Sequence, residues 1–424
     1  MVNSNGGLEE SGFELVAVRL PVLATFASLI LGLAAGVLSA DLALSPWLRD
    51  TIALIGTLWL RALQMTIIPL VASLLVLGIV QMISAARAGA ASAIFLAVVF
   101  AVLIAGGIFT AIAMPLILQV VPIPEAAAGF LANMPQDEQI VPEILDFAES
   151  LIASNVFTAA ANTAMLPLTI FFAVFAVAIA KLPGDQNRTL LGFFHALANA
   201  MLLIIGWVLW VAPFGVAALA FGVGLRSGGG AFAALGHYIL AVSAMGGFIL
   251  VLAYLMAMLL GGIGPLRFAT SVLPAQAVAV STQSSLASLP AMLDSSNRLG
   301  VKPATSEFVL PLAVAIFRST SVAMNLAVAL YVAALAGIEV SAPLIVVGIL
   351  VAVIISVGSV SLPGSISFVV SIGPIALAMG VPIEPLALLV AVEMLPDIMR
   401  TLANVTMNVS VASIVDRWTG SRAD

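Results

Sequence analysis

Six apolar runs, near residues 15–40, 51–82, 90–121, 155–181, 190–222 and 232–262, set the limits on what this chain can fold into. Crossing a hydrocarbon core of ~30 Å takes about 20 apolar helical residues, so each run can span and several can tilt. Lipid offers no partner to backbone N–H and C=O groups, which leaves helices as the spanning form. The composition agrees: 62% of the 424 residues are hydrophobic and 8% are charged. A mean hydropathy of +1.24 lies far from that of a soluble domain. The expected class is an all-α, multi-pass integral membrane protein.

Several chemistries are excluded early. With no cysteine there is no thiolate nucleophile and no Cys-ligated metal. The two histidines, His195 and His237, are too far apart in sequence to form a helical metal pair, and no cofactor motif is present. A net charge of −6, with its 14 Lys and Arg scattered singly, provides no basic stripe for nucleic acid. Three Glu, rather than a basic region, precede the first apolar run, so that run reads as a retained helix and not as a cleaved signal. The stretch 122–150 carries six acids and no Lys or Arg, and is expected to lie in water. Arg87, Lys181, Arg188, Arg267, Arg298, Lys302, Arg417 and Arg422 fall on one side if the helices alternate, against Arg49 and Arg226 on the other. The positive-inside rule puts the first group, and both termini, in the cytoplasm.

Beyond residue 262 the pattern changes. Residues 271–293, "SVLPAQAVAVSTQSSLASLPAML", and 343–378, around "IISVGSVSLPGSISFVVSIG", are apolar but interrupted by Ser, Gly and Pro. Each half is too short to span, so each region is expected to enter the membrane and turn back as a helical hairpin. The breaks "SLASLP" (Ser285–Pro290) and "GSVSLP" (Gly358–Pro363) resemble each other, and each is followed by a helix carrying buried charge, Arg318 in one and Asp397 with Arg400 in the other. A repeat with interrupted helices points to a transporter binding site near the bilayer midplane.

The second of those helices carries the strongest signal. Asp397, Arg400, Thr401, Asn404 and Asn408 stack on one face at 3.6 residues per turn, opposite Ile398, Met399, Leu402 and Val405. A guanidinium suits a carboxylate and a carboxylate accepts from an ammonium, so the pair matches the two ends of an acidic amino acid. Asp397 and Arg400 could instead simply pair with each other; against that, Ser-rich tips and freed half-helix N-termini supply anion-binding donors.

These residues, with "SSLASLP", "SVSLPG", "LRALQMTIIPLVASLLVLGIV" and "SNVFTAAANTAMLPLTIFFAVFAVAIA", resemble the dicarboxylate/amino acid:cation symporters, the glutamate and aspartate transporters. The resemblance implies a homotrimer of eight transmembrane helices and two re-entrant hairpins, with inverted repeats and an elevator mechanism. It divides the chain into scaffold helices 1–2 (1–85), transport-domain helix 3 (86–121), an extracellular loop with scaffold helices 4–5 (122–225) and the rest of the transport domain (226–424). That last part holds helix 6, hairpin 1 (267–294), helix 7 (305–337), hairpin 2 (342–379) and helix 8 (384–416). By the same resemblance Arg400 takes the substrate side-chain carboxylate, Asp397 the amino group, and Thr401 and Asn404 the main-chain carboxylate and the amino group. Ser284 and Ser285 at the first tip, Ser321 on helix 7, and Ser361, Leu362 and Gly364 at the second tip, the extracellular gate, complete the substrate set. Retaining both Asp397 and Arg400 points to aspartate or glutamate.

The chain also departs from the pattern. Where helix 7 of the family carries Asn-Met-Asp-Gly-Thr, this sequence has Phe317, Arg318, Ser319, Thr320 and Ser321; Asn408 replaces a sodium-binding aspartate, and Val99 and Phe100 replace a hydroxyl pair. Gln283 stands where an arginine often sits. Two carboxylates are gone and a cation has been added, which argues against sodium coupling. Arg318 is expected to act as a tethered cation, bonding carbonyls of an unwound helix 7, with Ser319 and Asn408 beside it. Uptake is then passive or proton-driven, with Glu393, Asp397, Glu307 and Asp294 as candidate proton carriers. A sodium-coupled carrier using backbone ligands and Asn404 or Asn408 is the alternative, and an anion channel a more distant one. His195 and His237 are expected to serve packing, and Arg61 to snorkel or bond within the scaffold. An intramembrane hydrolase would need a Ser-His or paired-Asp constellation that is not evident, so no enzymatic activity is expected. The expected partners are an acidic amino acid, the lipids of the inner membrane and two further copies of the chain.

Overall fold

The computed structural model describes residues 21–40, 42, 44–86, 89–124, 152–227, 230–358 and 364–420. Among these residues the chain is all helix and turn, without strands. Among the described residues six helical stretches are long and apolar enough to cross a membrane, two of them, 46–85 and 303–335, interrupted within, and four more apolar helices of 10–17 residues accompany them.

Proline sets many of the helix starts. Having no N–H and a fixed φ, it is tolerated in a helical first turn, where the N–H would find no partner anyway. It occupies the first turn of α2 (Pro46–Met65), where α1 (Val22–Leu38) precedes, and of α3 (Ile67–Ala86), where Pro69 follows the kink at Thr66. The expected second helix, 51–82, is thus two helices joined end to end. The fourth is likewise divided into α5 (Val156–Ala161) and α6 (Met165–Ile179), with Thr163 in a left-handed conformation between them and Pro167 opening the second. The expected fifth helix, 190–222, is α7 (Gly184–Trp210) and α8 (Ala212–Ser227), separated at Val211, with Pro213 in the new first turn. The break frees the Val208 carbonyl, which accepts from the Trp59 indole N–H at 2.9 Å. The third and sixth expected helices stand close to their predicted bounds, as α4 (Ala90–Val120) and α9 (Gly230–Leu259).

α8 lies along α1 and α2. Its contact with α1 is made by small residues: Gly32 sits on Ala217 and Ala220, Gly36 on the Phe221 carbonyl, and Gly224 on the Leu33 carbonyl. In lipid, where the hydrophobic effect does not drive helix association, such close backbone approach supplies the dispersion contact that holds a pair together.

The other assembly surrounds the last helix. α10 (Pro265–Thr282) and α11 (Leu289–Leu299) pack against each other as the first hairpin, turning at Gln283, whose φ is 50°. α12 (Pro303–Ile316) and α13 (Ser321–Leu335) are the two halves of the seventh helix, interrupted at 317–320. α14 (Ala342–Gly358) and α15 (Gly364–Ala378) form the second hairpin. A single turn, α16 (Leu386–Leu389), leads into α17 (Met394–Gly420), which starts ten residues later than the expected 384 because Pro396 belongs to its first turn. α17 packs against α4, α9, α10, α11, α12 and α15, whereas α3 and α6 meet α14 and α15.

Candidate functional site

From Ala403 to Val415 α17 is buried all round; before that, Ile398, Met399 and Leu402 are half-buried while Asp397, Arg400 and Thr401 are buried. The polar face expected from the spacing therefore points into protein. Arg400 is 9% exposed, Asp397 7% and Glu393 1%. Groups this charged remain in an apolar interior only when paired and hydrogen-bonded.

The pairing is extensive. Arg400 Nη2 donates to Glu393 Oε1 at 2.8 Å, Nη1 donates to Asn325 Oδ1 at 2.9 Å, and Nε lies 3.5 Å from Asp397 Oδ1. Glu393 Oε2 accepts from the Tyr238 hydroxyl at 3.2 Å, and Asn325 Nδ2 donates to Ser321 Oγ at 3.2 Å. Four elements thus converge on one guanidinium: α9 through Tyr238, α13 through Ser321 and Asn325, the segment before α17 through Glu393, and α17 itself. Asn325 and Tyr238 did not emerge from the sequence. Glu393, expected as a proton carrier, is also an immediate partner of Arg400.

One turn further along, Asn404 Oδ1 accepts three hydrogen bonds from the unwound segment of the seventh helix: Ser319 Oγ at 2.9 Å, Thr320 N at 3.0 Å and Thr320 Oγ1 at 3.1 Å. An amide oxygen has two lone pairs, so this one has nothing left for a cation. Phe317 turns into the core, edge-on to Phe95 of α4 with centroids 6.3 Å apart, and Val99 of α4 is buried as well. Arg318 is half-buried and its charge acts on Asp397, which therefore feels both guanidiniums. Asn408 is fully buried, and neither atom of its amide has a hydrogen-bond partner among the described residues. No cluster of three or more His, Asp or Glu that could hold a metal occurs among the described residues.

The first hairpin is anchored at depth. Gln276 Nε2 donates to Tyr254 Oη at 3.1 Å and to Thr406 Oγ1 at 3.0 Å, tying α10 to α9 and α17. At its tip Ser284 and Ser285 are half-buried, and Ser284 Oγ accepts from the Ala287 N–H at 3.2 Å, which closes the turn. Ser361 and Leu362 lie outside the described residues, and Gly364 is the first residue of α15. His237 joins three helices: Nε2 meets the Val121 carbonyl at 2.9 Å and Nδ1 the Tyr331 hydroxyl at 3.2 Å.

Known proteins resemble the chain along most of its length. A proton/sodium-glutamate symport protein of Bacillus subtilis (strain 168) is 27% identical over 406 residues, covering 93% of this chain and 92% of its own. A protein of the same description from Bacillus caldotenax is 26% identical over 412 residues, covering 93% of each chain. The human Neutral amino acid transporter B(0) is 28% identical over 438 residues, covering 95% of this chain and 80% of its own. Residues 22–418 match the Sodium:dicarboxylate symporter family. With that match running from α1 to the last turn of α17, and with relatives that support an amino acid transporter, the chain is a multi-pass membrane protein that belongs to the sodium:dicarboxylate symporter family, whose members are transporters and not enzymes.

Proposed function

We propose that this protein is a secondary transporter of acidic amino acids, L-aspartate or L-glutamate, that runs without sodium coupling. The observation that carries the reading is the burial of Asp397, Arg400 and Thr401 together on one face of α17, beside an unwound helix in which Arg318 stands between Phe317 and Ser319, the positions of the family's sodium-binding Asn and Asp. Arg400 receives the side-chain carboxylate and Asp397 the amino group, with Thr401, Ser321, Ser284 and Ser285 and, from the family resemblance, Ser361, Leu362 and Gly364 completing the substrate set; Asn404, its Oδ1 committed to the unwound segment, has only Nδ2 to offer, to the main-chain carboxylate. With Glu393, Asp397, Arg318 and Arg400 all ionised, the interior charges balance without a bound cation. Arg318 then does the work of the ion, neutralising Asp397 and holding the unwound segment in shape.

The helices α4 and α9–α17 make the moving transport domain, which slides against a scaffold of α1–α3 and α5–α8. Three copies assemble through the scaffolds in the inner membrane, with both termini in the cytoplasm. One observation favours a second reading: the uncommitted amide oxygen of Asn408 could ligate sodium together with backbone carbonyls.

Reconstituted liposomes test the reading. Uptake of labelled L-aspartate should be saturable, stereospecific and accelerated by internal unlabelled aspartate, with the sodium gradient, proton gradient and potential imposed one at a time. Uptake that persists undiminished without sodium supports the proposal; uptake that requires sodium moves the assignment to Asn408, and non-saturable flux moves it to a channel.

A further inference from the structure

We infer that Asn325 is a positioning residue that makes Arg400 selective for a carboxylate, an inference that rests on the acidic-substrate reading above. The guanidinium is a donor only, so the Asn325 amide must present its oxygen to Nη1, 2.9 Å away. That choice fixes everything downstream. Nδ2 then faces Ser321 Oγ at 3.2 Å, which accepts and keeps its own proton for another acceptor in the site. On the other side of the fork Glu393 receives Nη2 through Oε1 and the Tyr238 hydroxyl through Oε2. Arg400 is thereby held at both ends, with the N–H groups outside these bonds left for a ligand.

The chemistry of the residue matters as much as its place. Arg400 already has two carboxylates, Glu393 and Asp397, against it. A third anionic acceptor would add to the negative charge already against the guanidinium and repel an incoming carboxylate. A neutral amide orients the fork and accepts one N–H while leaving the charge in place. Asn325 is 3% exposed and 75 residues from Arg400 in sequence, so this bond also couples the second half of the seventh helix to the eighth.

The test compares L-aspartate with L-asparagine, which differ at the side-chain carboxylate, by calorimetry on the full chain in detergent. Replacing Asn325→Asp should lower the preference for aspartate by about tenfold or more, the scale of a charge-assisted hydrogen bond, with asparagine changed by less than about threefold. Asn325→Leu should also lose preference, whereas Asn325→Gln should retain part of it; this second pair carries the test if the Asp variant does not fold. A purely structural role would weaken both ligands in parallel and overturn the inference, as would variants that keep the wild-type preference. A wild-type protein with no preference for aspartate overturns the functional reading, and this inference with it.

Discussion

Asn404→Ala would remove one acceptor from three buried donors, and the structure sets the size of the effect. The Thr320 N–H cannot turn elsewhere, and an unsatisfied buried amide costs about 1–3 kcal/mol. The hydroxyls of Ser319 and Thr320 can rotate, so they add less, and the total comes to about 2–4 kcal/mol. With an unfolding entropy of about 2.1 cal/mol/K per residue, this chain of 424 residues shifts by about 1 °C per kcal/mol, so Tm should fall by about 2–4 °C. Thr320→Val is the control: it takes away one hydroxyl and leaves Asn404 Oδ1 with two donors, so its cost should stay below about 1 kcal/mol. Intrinsic tryptophan fluorescence during a thermal ramp of the detergent-solubilised protein reads both. Equal shifts for the two variants, or none for Asn404→Ala, would show that Asn404 does not hold the unwound segment.

Other expectations follow from the same contacts. Arg318→Met removes the charge facing Asp397 and should weaken sodium-free aspartate binding by about tenfold or more, with Arg318→Lys keeping part of it, as measured by calorimetry. Glu393→Gln frees part of the Arg400 fork and removes a competing charge, so steady-state uptake should show a lower KM and a slower turnover. A Cβ at Gly36 would run into the Phe221 carbonyl oxygen, and Gly36→Leu should part α1 from α8 and abolish the monodisperse peak on size exclusion. Trp59→Phe strands the Val208 carbonyl at the α7–α8 break and should cost about 1–3 kcal/mol, seen as earlier thermal inactivation.

The hairpins were legible because a Ser/Gly/Pro interruption inside an apolar run leaves halves too short to span, a signal that needs no partner. The breaks at Thr66, 162–164 and Val211 had a signal as well, in Pro69, Pro167 and Pro213. It is ambiguous, since membrane helices tolerate proline in their interior, as α4 does at Pro115. In the site, the face of Asp397, Arg400, Thr401 and Asn404 follows from 3.6 residues per turn. What met that face did not: Asn325 reaches Arg400 across 75 residues and Tyr238 reaches Glu393 across 155, and neither separation leaves a local pattern. For the same reason the sequence offers Arg400 only a substrate carboxylate or Asp397 as partner, whereas the fold also commits it to Glu393 and Asn325.

The central claim, that an acidic amino acid is held here without sodium, is tested most directly by titrating L-aspartate into the purified protein calorimetrically, in choline chloride and again in sodium chloride at equal ionic strength. The account predicts dissociation constants that agree within about twofold, because Arg318 and not a bound ion balances the site. Binding that appears only with sodium, or tightens by about tenfold or more in it, would contradict the account.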